Sequence, residues 1–394
     1  MIYRKFSADK IFTGHSFLNN QEVLITDAKG VVIDIVQRGE AGEDIESIIG
    51  IICPGFINCH CHLELSHLKG VIPEKTGLVD FILAILSRRN TNEIEILEAI
   101  EIAENEMIKN GIVAVGDISN NALSLAQKQR NNLYYHNFIE VSGFSPEIAN
   151  HRFDAAKEVY HQFKTSFPHQ TSVVPHAPYS VSKELFHRIN SIEETRLSSI
   201  HNQETKEENE LFISGGGDFN RLYETIGSDI KSFFHPSGKS SLQTAIPNIT
   251  RPNKLLLVHN TTTSQDDIDF LNQRNVSTQA IFCLCINANL YIENNLPPIG
   301  LFIKNNCEIV LGTDSLASNH GLSILSEMVN IQKHFSGITL ENMLSWATFN
   351  GAKALGIENK YGSLEKGRKP GIINLDGITK ENTLTKETIV RVLL

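Results

Sequence analysis

From Pro54 onward the chain repeats one pattern: a short run of β-branched and apolar residues, a polar turn, then a stretch with helical spacing. That alternation builds strand-helix units around a parallel sheet. Eight such runs can be counted, at residues 56–62, 112–117, 134–141, 171–176, 197–201, 254–259, 276–282 and 308–314. Eight closes a β/α barrel of the TIM type. The expectation is therefore an α/β protein whose (β/α)8 barrel occupies residues 54–360. Two helices are readable in detail. Residues 92–109 carry Leu97, Ile100, Ala103 and Met107 on one face, with Asn92 and Glu95 spaced as a capping box and Asn110-Gly111 as the stop. Residues 339–355 repeat the arrangement and end at Gly356.

The flanks read differently. Short strands are expected at 2–6, 11–13, 22–26, 31–37 and 48–52, and again at 372–375 and 388–393. Residues 1–53 and 361–394 are thus the two parts of one small β domain, the late strands rejoining the early ones. Composition narrows the function classes. A net charge of -10 without any Lys/Arg cluster disfavours a nucleic acid polymer as partner. Hydrophobic residues at 41% and charged residues at 20% suit a compact globular chain with a large core. No run approaches the length of a membrane span, and the first residues lack a secretory h-region, so the expected setting is the cytoplasm, without a membrane partner. Six cysteines without a C-x-x-C pair speak against a disulfide framework or a zinc knuckle; Cys283, at a strand end, is the one with positional interest.

In a β/α barrel, residues at the C-terminal strand ends converge on one mouth. Here those ends carry or adjoin His60 and His62, Asp117, Glu140, His176, His201, His259, Cys283 and Asp314. His60 and His62, two apart on a strand, point to one side, while Cys59 and Cys61 face away. Each histidine alone reads equally well as a core residue or a strand-end cap. Together, His60, His62, His201 and Asp314 offer the nitrogen and oxygen donors that a borderline divalent cation prefers: zinc first, with iron or manganese as alternatives. A cation so held lowers the pKa of a water from about 15.7 to about 7 and supplies hydroxide at neutral pH. Glu204, three residues past His201, is placed to take the water proton and pass it on. His259 is placed to hydrogen-bond the nucleophile, and Asp314 to accept a proton as well as ligate.

The ordered motifs Pro54-Gly-Phe-Ile-Asn-Cys-His60-Cys-His62, His176-Ala-Pro-Tyr179, His201-Asn-Gln-Glu204, Val258-His259-Asn260, Gly312-Thr-Asp-Ser-Leu-Ala-Ser-Asn319, Ala347-Thr-Phe-Asn-Gly-Ala352 and Gly362-Ser-Leu-Glu-Lys-Gly367 resemble those of the amidohydrolase superfamily over nearly the whole chain. The H-x-x-E pattern resembles its branch of deaminases and chlorohydrolases. The resemblance implies a barrel with a small composite β-sandwich from both termini. It also implies metal ligands at His60, His62, His201 and Asp314, a proton shuttle at Glu204 and an orienting imidazole at His259. Binuclear members carry a carboxylated Lys on the fourth strand; residues 171–176 contain none, which implies one metal ion per chain. His176 matches the residue lining the sugar pocket of nucleoside-type members, and Glu64 and His67 lie within reach of a bound substrate.

Two departures are visible: no Cys-Pro pair follows the seventh strand, and Lys369-Pro370-Gly371 replaces the usual Ala-Asp near the end. The expected activity is hydrolytic deamination of an aminated heterocycle, an adenosine-type nucleoside derivative such as S-adenosylhomocysteine or aminodeoxyfutalosine. The latter is suggested by His-Leu-Glu-Leu-Ser and Phe-Ile-Glu-Val-Ser-Gly. Cleavage of a cyclic amide or carbon–chlorine bond by the same residues is the alternative. A non-catalytic scaffold is disfavoured, because the ligand and shuttle set is complete. The partner is a small heterocycle, and a homodimer is the default oligomer.

Overall fold

The chain folds, in a computed structural model that describes residues 3–274, 277–379 and 381–394, around eight parallel strands. They are Phe56–Cys61, Ile112–Ser119, Tyr134–Val141, Thr171–Pro175, Leu197–Asn202, Lys254–His259, Gln279–Leu284 and Glu308–Leu311. Val276, the expected start of the seventh, lies outside the described residues. The eighth stops at Leu311 rather than Asp314, because the chain turns there and the N–H groups of Thr313 and Asp314 both reach the His60 carbonyl, at 3.0 and 3.1 Å.

Strands one to four hydrogen-bond in order as one sheet and five to eight as another. The halves join near the mouth to complete the (β/α)8 barrel. His201 N–H donates to the His176 carbonyl at 2.9 Å on one seam, and a parallel bridge pairs Cys61 with Asp314 on the other. The Asn58 side chain reinforces the second seam, accepting from Thr313 N–H at 3.1 Å and donating to its hydroxyl at 2.8 Å. The seams therefore lie where the site is built.

The N-terminal strands Tyr3–Phe12, Phe17–Leu18, Glu22–Asp27, Val32–Gln37 and Glu46–Pro54 form one seven-stranded sheet with Ile372–Asp376 and Ile389–Val392. The expected return is direct: Ile372–Asp376 pairs antiparallel with Glu46–Pro54. Phe6, Ile11, Leu24, Ile52 and Ile372 form the core of this β-sandwich part.

The helix Glu93–Lys109 begins where expected, with Asn92 accepting from Ile94 N–H at 3.0 Å. Glu95 does not close a capping box; it accepts from the Thr91 hydroxyl instead. The stretch expected as one helix over 339–355 is two, Leu340–Ala347 and Phe349–Leu355. Thr348 breaks it, turning its hydroxyl back to the Leu344 carbonyl at 2.6 Å with ψ -89°.

Candidate active site

The first strand departs from strict alternation just where its histidines lie. Its register against the second strand shifts between Asn58 and Cys61. Cys59 packs with Phe138, Val174 and Val258 inside the barrel, whereas Cys61 joins the other cluster, between barrel and helices. The two cysteines thus do not share a face, as plain alternation expected. Such an irregular step re-aims side chains, and here it brings His60 and His62 together at the mouth. Their Nε2 atoms are 3.1 Å apart, and His62 Nε2 is 3.3 Å from His201 Nε2. Asp314 Oδ1 lies 3.5 Å from His60 Nε2 and 3.4 Å from His62 Nε2. One ligand atom from each of the four lies within 4.8 Å of all the others.

These residues fit a divalent cation. His201 Nδ1 donates to the His176 carbonyl at 2.9 Å, which leaves Nε2 as a bare lone pair aimed at the cluster. Three imidazole nitrogens and one carboxylate with so few protons between them have the donor chemistry of a zinc-type site. The Nδ1 atoms of His60 and His62 are buried without hydrogen-bond partners. Burial pulls His62 down to about 3 against the opposing Asp314 charge, and pulls His201 well below the ordinary imidazole value, the neighbouring histidines adding to the effect. Neutral imidazoles are the ligating form.

Four non-glycine residues beside the strand ends sit in the left-handed region: Gln203 at φ 48°, His259 at 76°, Asn260 at 61° and Asp314 at 57°. Sparsely populated conformations of this kind persist only where surrounding contacts enforce them. The enforcing contacts are present. Asn260 donates from its amide to the Leu257 carbonyl at 2.7 Å and accepts from Asn202 at 2.9 Å. Ser318 donates to Asp314 Oδ2 at 2.5 Å. Burial raises Asp314, but the His60 hydrogen bond and the nearby imidazoles outweigh it and hold the carboxyl well below its usual range.

Glu204 is buried, its Oε1 3.6 Å from His259 Nε2. Burial, and then the charges of Asp314 and Glu208, push it well above the ordinary carboxyl value. His259 Nδ1 hydrogen-bonds Asn289 Oδ1 at 2.7 Å, so Nε2 faces the site as an acceptor, and burial lowers this ring to about 4. Asn289 carried no signal in the sequence, since its relevance depends on how the helix Ile286–Ile292 docks. Glu208, four residues after Glu204 on the helix Lys206–Ser214, could have been suspected from that spacing.

A cavity of about 990 Å³ opens on His62, His176, His201, Glu204, His259 and Asp314. Its outer walls are largely apolar: Phe81, Ile82 and Ile85 of the helix Leu78–Arg88 face Phe144, Tyr223 and Phe233. His176 lies in it, and burial lowers its ring to about 4. Glu64 and His67 are not brought to this cavity. Glu64 accepts from Asn120 N–H, the Asn120 amide and Asn121 N–H at 3.0, 3.1 and 3.3 Å, and His67 lines a separate groove with Arg88 and Glu95. Cys283 is buried in the barrel interior, away from the cavity lining, and Asp117 pairs with the buried Lys128 at 2.6 Å. Glu140 does line the cavity, with burial and then the Glu64 charge pushing it up to about 8.

A barrel with this histidine-aspartate cluster at its mouth defines a hydrolase of the metal-dependent amidohydrolase type. The model of the amidohydrolase family matches residues 51–392, and the chain belongs to that family. Among curated relatives, a 5-methylthioadenosine/S-adenosylhomocysteine deaminase of Teredinibacter turnerae is 27% identical over 346 residues, covering 83% of this chain and 72% of that protein. A 5'-deoxyadenosine deaminase of Methanococcus aeolicus is 26% identical over 395 residues, covering 94% and 86%. Among solved structures, Helicobacter pylori aminofutalosine deaminase in complex with methylthio-coformycin superposes with a TM-score of 0.79 at 20% identity, over 97% of this chain and 94% of that one. No helix among the described residues is long and apolar enough to cross a membrane.

Proposed function

We propose that this chain deaminates an adenosine-type nucleoside, of the 5′-substituted kind, with one divalent cation per chain, zinc by preference. In this reading His60, His62, His201 and Asp314 hold the cation, within a barrel unit spanning residues 54–360. When bound there, the cation supplies an acidified water as the nucleophile. Glu204 carries the reading, because a carboxyl raised by burial and opening on the same cavity can hold a proton near neutral pH. It takes the proton of the attacking water and delivers it to the ring nitrogen beside the amino-bearing carbon. His259, held through Nδ1 by Asn289, accepts from the attacking water at Nε2. The apolar outer cavity shields the base from solvent and leaves room for a 5′ substituent.

The test is ammonia release by wild type and Glu204→Gln across adenosine, 5′-substituted adenosines, guanine, cytosine and aminated triazines, with metal analysis. Ammonia from an adenosine-type substrate, about one cation per chain, and a loss of about 10²- to 10⁴-fold in the variant with the cation retained support the proposal. Chloride or a new carboxylate in place of ammonia, or undiminished turnover in the variant, overturns it.

A further inference from the structure

Glu327, in the first turn of the helix Ile324–His334, is fully buried and does not line the cavity. Its two oxygens face two different segments. Oε1 accepts from the Asn319 side-chain amide at 3.1 Å, and the same amide nitrogen donates to the Thr313 carbonyl at 2.9 Å. Thr313 is the residue before Asp314, which is held at φ 57°. Oε2 accepts from Asn287 N–H at 2.9 Å, and the Ile286 N–H also bonds the carboxyl. These N–H groups open the helix Ile286–Ile292, whose N-cap residue, Cys285, makes no capping bond with its side chain. Glu327 thus supplies from another helix the acceptor that this helix start lacks. The same helix carries Asn289, whose Oδ1 meets His259 Nδ1 at 2.7 Å.

One buried carboxyl therefore stands behind two separate parts of the site. The bonds it accepts need only lone pairs, which a carboxyl offers whether or not it carries a proton. A side-chain amide does not serve as well, because it has one acceptor atom and would set its NH2 group against a donor on one side or the other. The neighbouring side chains tie the helix start to the helix of Glu327 a second time: the Asn287 amide donates to Ser326 Oγ at 3.0 Å, and Asn330 donates to Asn287 Oδ1 at 2.6 Å. We propose that Glu327 is a positioning residue that sets Asp314 and His259 in place together, through Asn319 for the first and through the helix Ile286–Ile292 and Asn289 for the second. This rests on the roles given above to Asp314 as a metal ligand and to His259 as partner of the attacking water.

The experiment measures zinc dissociation constants by chelator competition, and kcat and KM for ammonia release at saturating zinc, in wild type, Glu327→Gln, Asn319→Ala and the double variant. Glu327→Gln should bind zinc about 10- to 100-fold more weakly, the range typical of residues that hold metal ligands from behind. Its kcat at saturating zinc should fall by a similar factor with KM changed at most a few-fold, because His259 is displaced while the cavity walls are not. Asn319→Ala should weaken zinc binding alike but keep more of kcat, since the helix carrying Asn289 retains its acceptor. The double variant should bind zinc no more weakly than Glu327→Gln alone, as groups acting through one chain of contacts do. Additive losses, as from two unrelated destabilisations, overturn the proposal. So do wild-type zinc affinity and kcat in Glu327→Gln, however much stability that variant loses. Should Glu327→Gln not fold, wild-type zinc affinity in Asn319→Ala overturns the proposal by itself. Asp314→Asn separates the two readings: zinc bound there as in wild type sinks the metal assignment and this proposal with it, whereas zinc lost there and kept in Glu327→Gln sinks the positioning role alone.

Discussion

Glu208 grips the backbone at Glu204, four positions before it, and at the residue preceding that: its carboxyl oxygens accept from the N–H groups of Gln203 and Glu204, at 3.0 and 3.1 Å. The grip holds Gln203 in its left-handed conformation and presents the Glu204 carboxyl to the cavity. Glu208→Ala leaves two buried N–H groups unmatched, at about 1–3 kcal/mol each, and lets Glu204 drift. A misplacement of about 1 Å costs on the order of 100-fold in rate. Steady-state turnover should therefore fall by roughly that factor while metal content, read by elemental analysis, stays at the wild-type value. Parallel loss of the metal would mean that the turn organises the whole mouth rather than Glu204 alone.

Lys128 and Asp117 form an ion pair at 2.6 Å with both side chains fully buried. Asp117 Oδ1 also accepts from Leu63 N–H at 2.8 Å, the residue next to His62, so the pair ties the second strand to the turn that follows the first. Lys128→Met strands a buried carboxylate and should cost about 3–5 kcal/mol in urea unfolding. The double variant Lys128→Met/Asp117→Asn should recover part of that loss, because no uncompensated charge remains. If the double variant is no more stable than the single one, packing rather than charge governs the position.

These residues also show what the sequence could disclose. The third and sixth strands, Tyr134–Val141 and Lys254–His259, occupy the residues expected of them, because short aromatic and aliphatic runs buried on both faces leave little ambiguity. The cluster of His60, His62, His201 and Asp314 was equally legible, since barrel topology sends strand ends to one place. Lys128 was not: in Ala-Gln-Lys-Gln-Arg-Asn it reads as a solvated helix end, and only the packing of Leu125–Lys128 over Asp117 buries it. Glu140 showed its position but not its burial. The cavity wall Leu78–Arg88 carried helical spacing at Leu78, Phe81, Ile82 and Ile85, yet begins at Gly77 without a side-chain cap to mark it.

Burial and hydrogen bonding make stability depend on pH in a defined direction. Burial pushes Glu208 up to about 7 and Glu327 up to about 8, from 4.5. Between 4.5 and these values the folded chain binds more protons than the unfolded one, so stability falls as pH rises. The two contributions are complete below the unfolded value and lost above the folded ones. Urea midpoints measured from pH 7 to 9, above the range in which the buried neutral imidazoles of His62, His176 and His259 contribute the opposite slope, should decline in wild type, and Glu327→Gln should flatten that decline. A midpoint that climbs through this window would contradict the burial of these carboxyls in the folded chain.

Metal removal should expose the coupling between the cluster and the barrel seams. His60 supplies both a cluster nitrogen and the carbonyl that receives Thr313 and Asp314 N–H, so the cation and the joint between first and eighth strands share one residue. A ligand that binds only the folded state stabilises it by about 4 kcal/mol when present at a thousand times its dissociation constant. Chelation should therefore lower the melting temperature by several degrees and zinc should restore it. Asp314→Asn keeps the backbone seam while removing a negative ligand, so its melting temperature should respond much less to zinc. A full zinc response in Asp314→Asn would place the stabilising ion elsewhere in the chain.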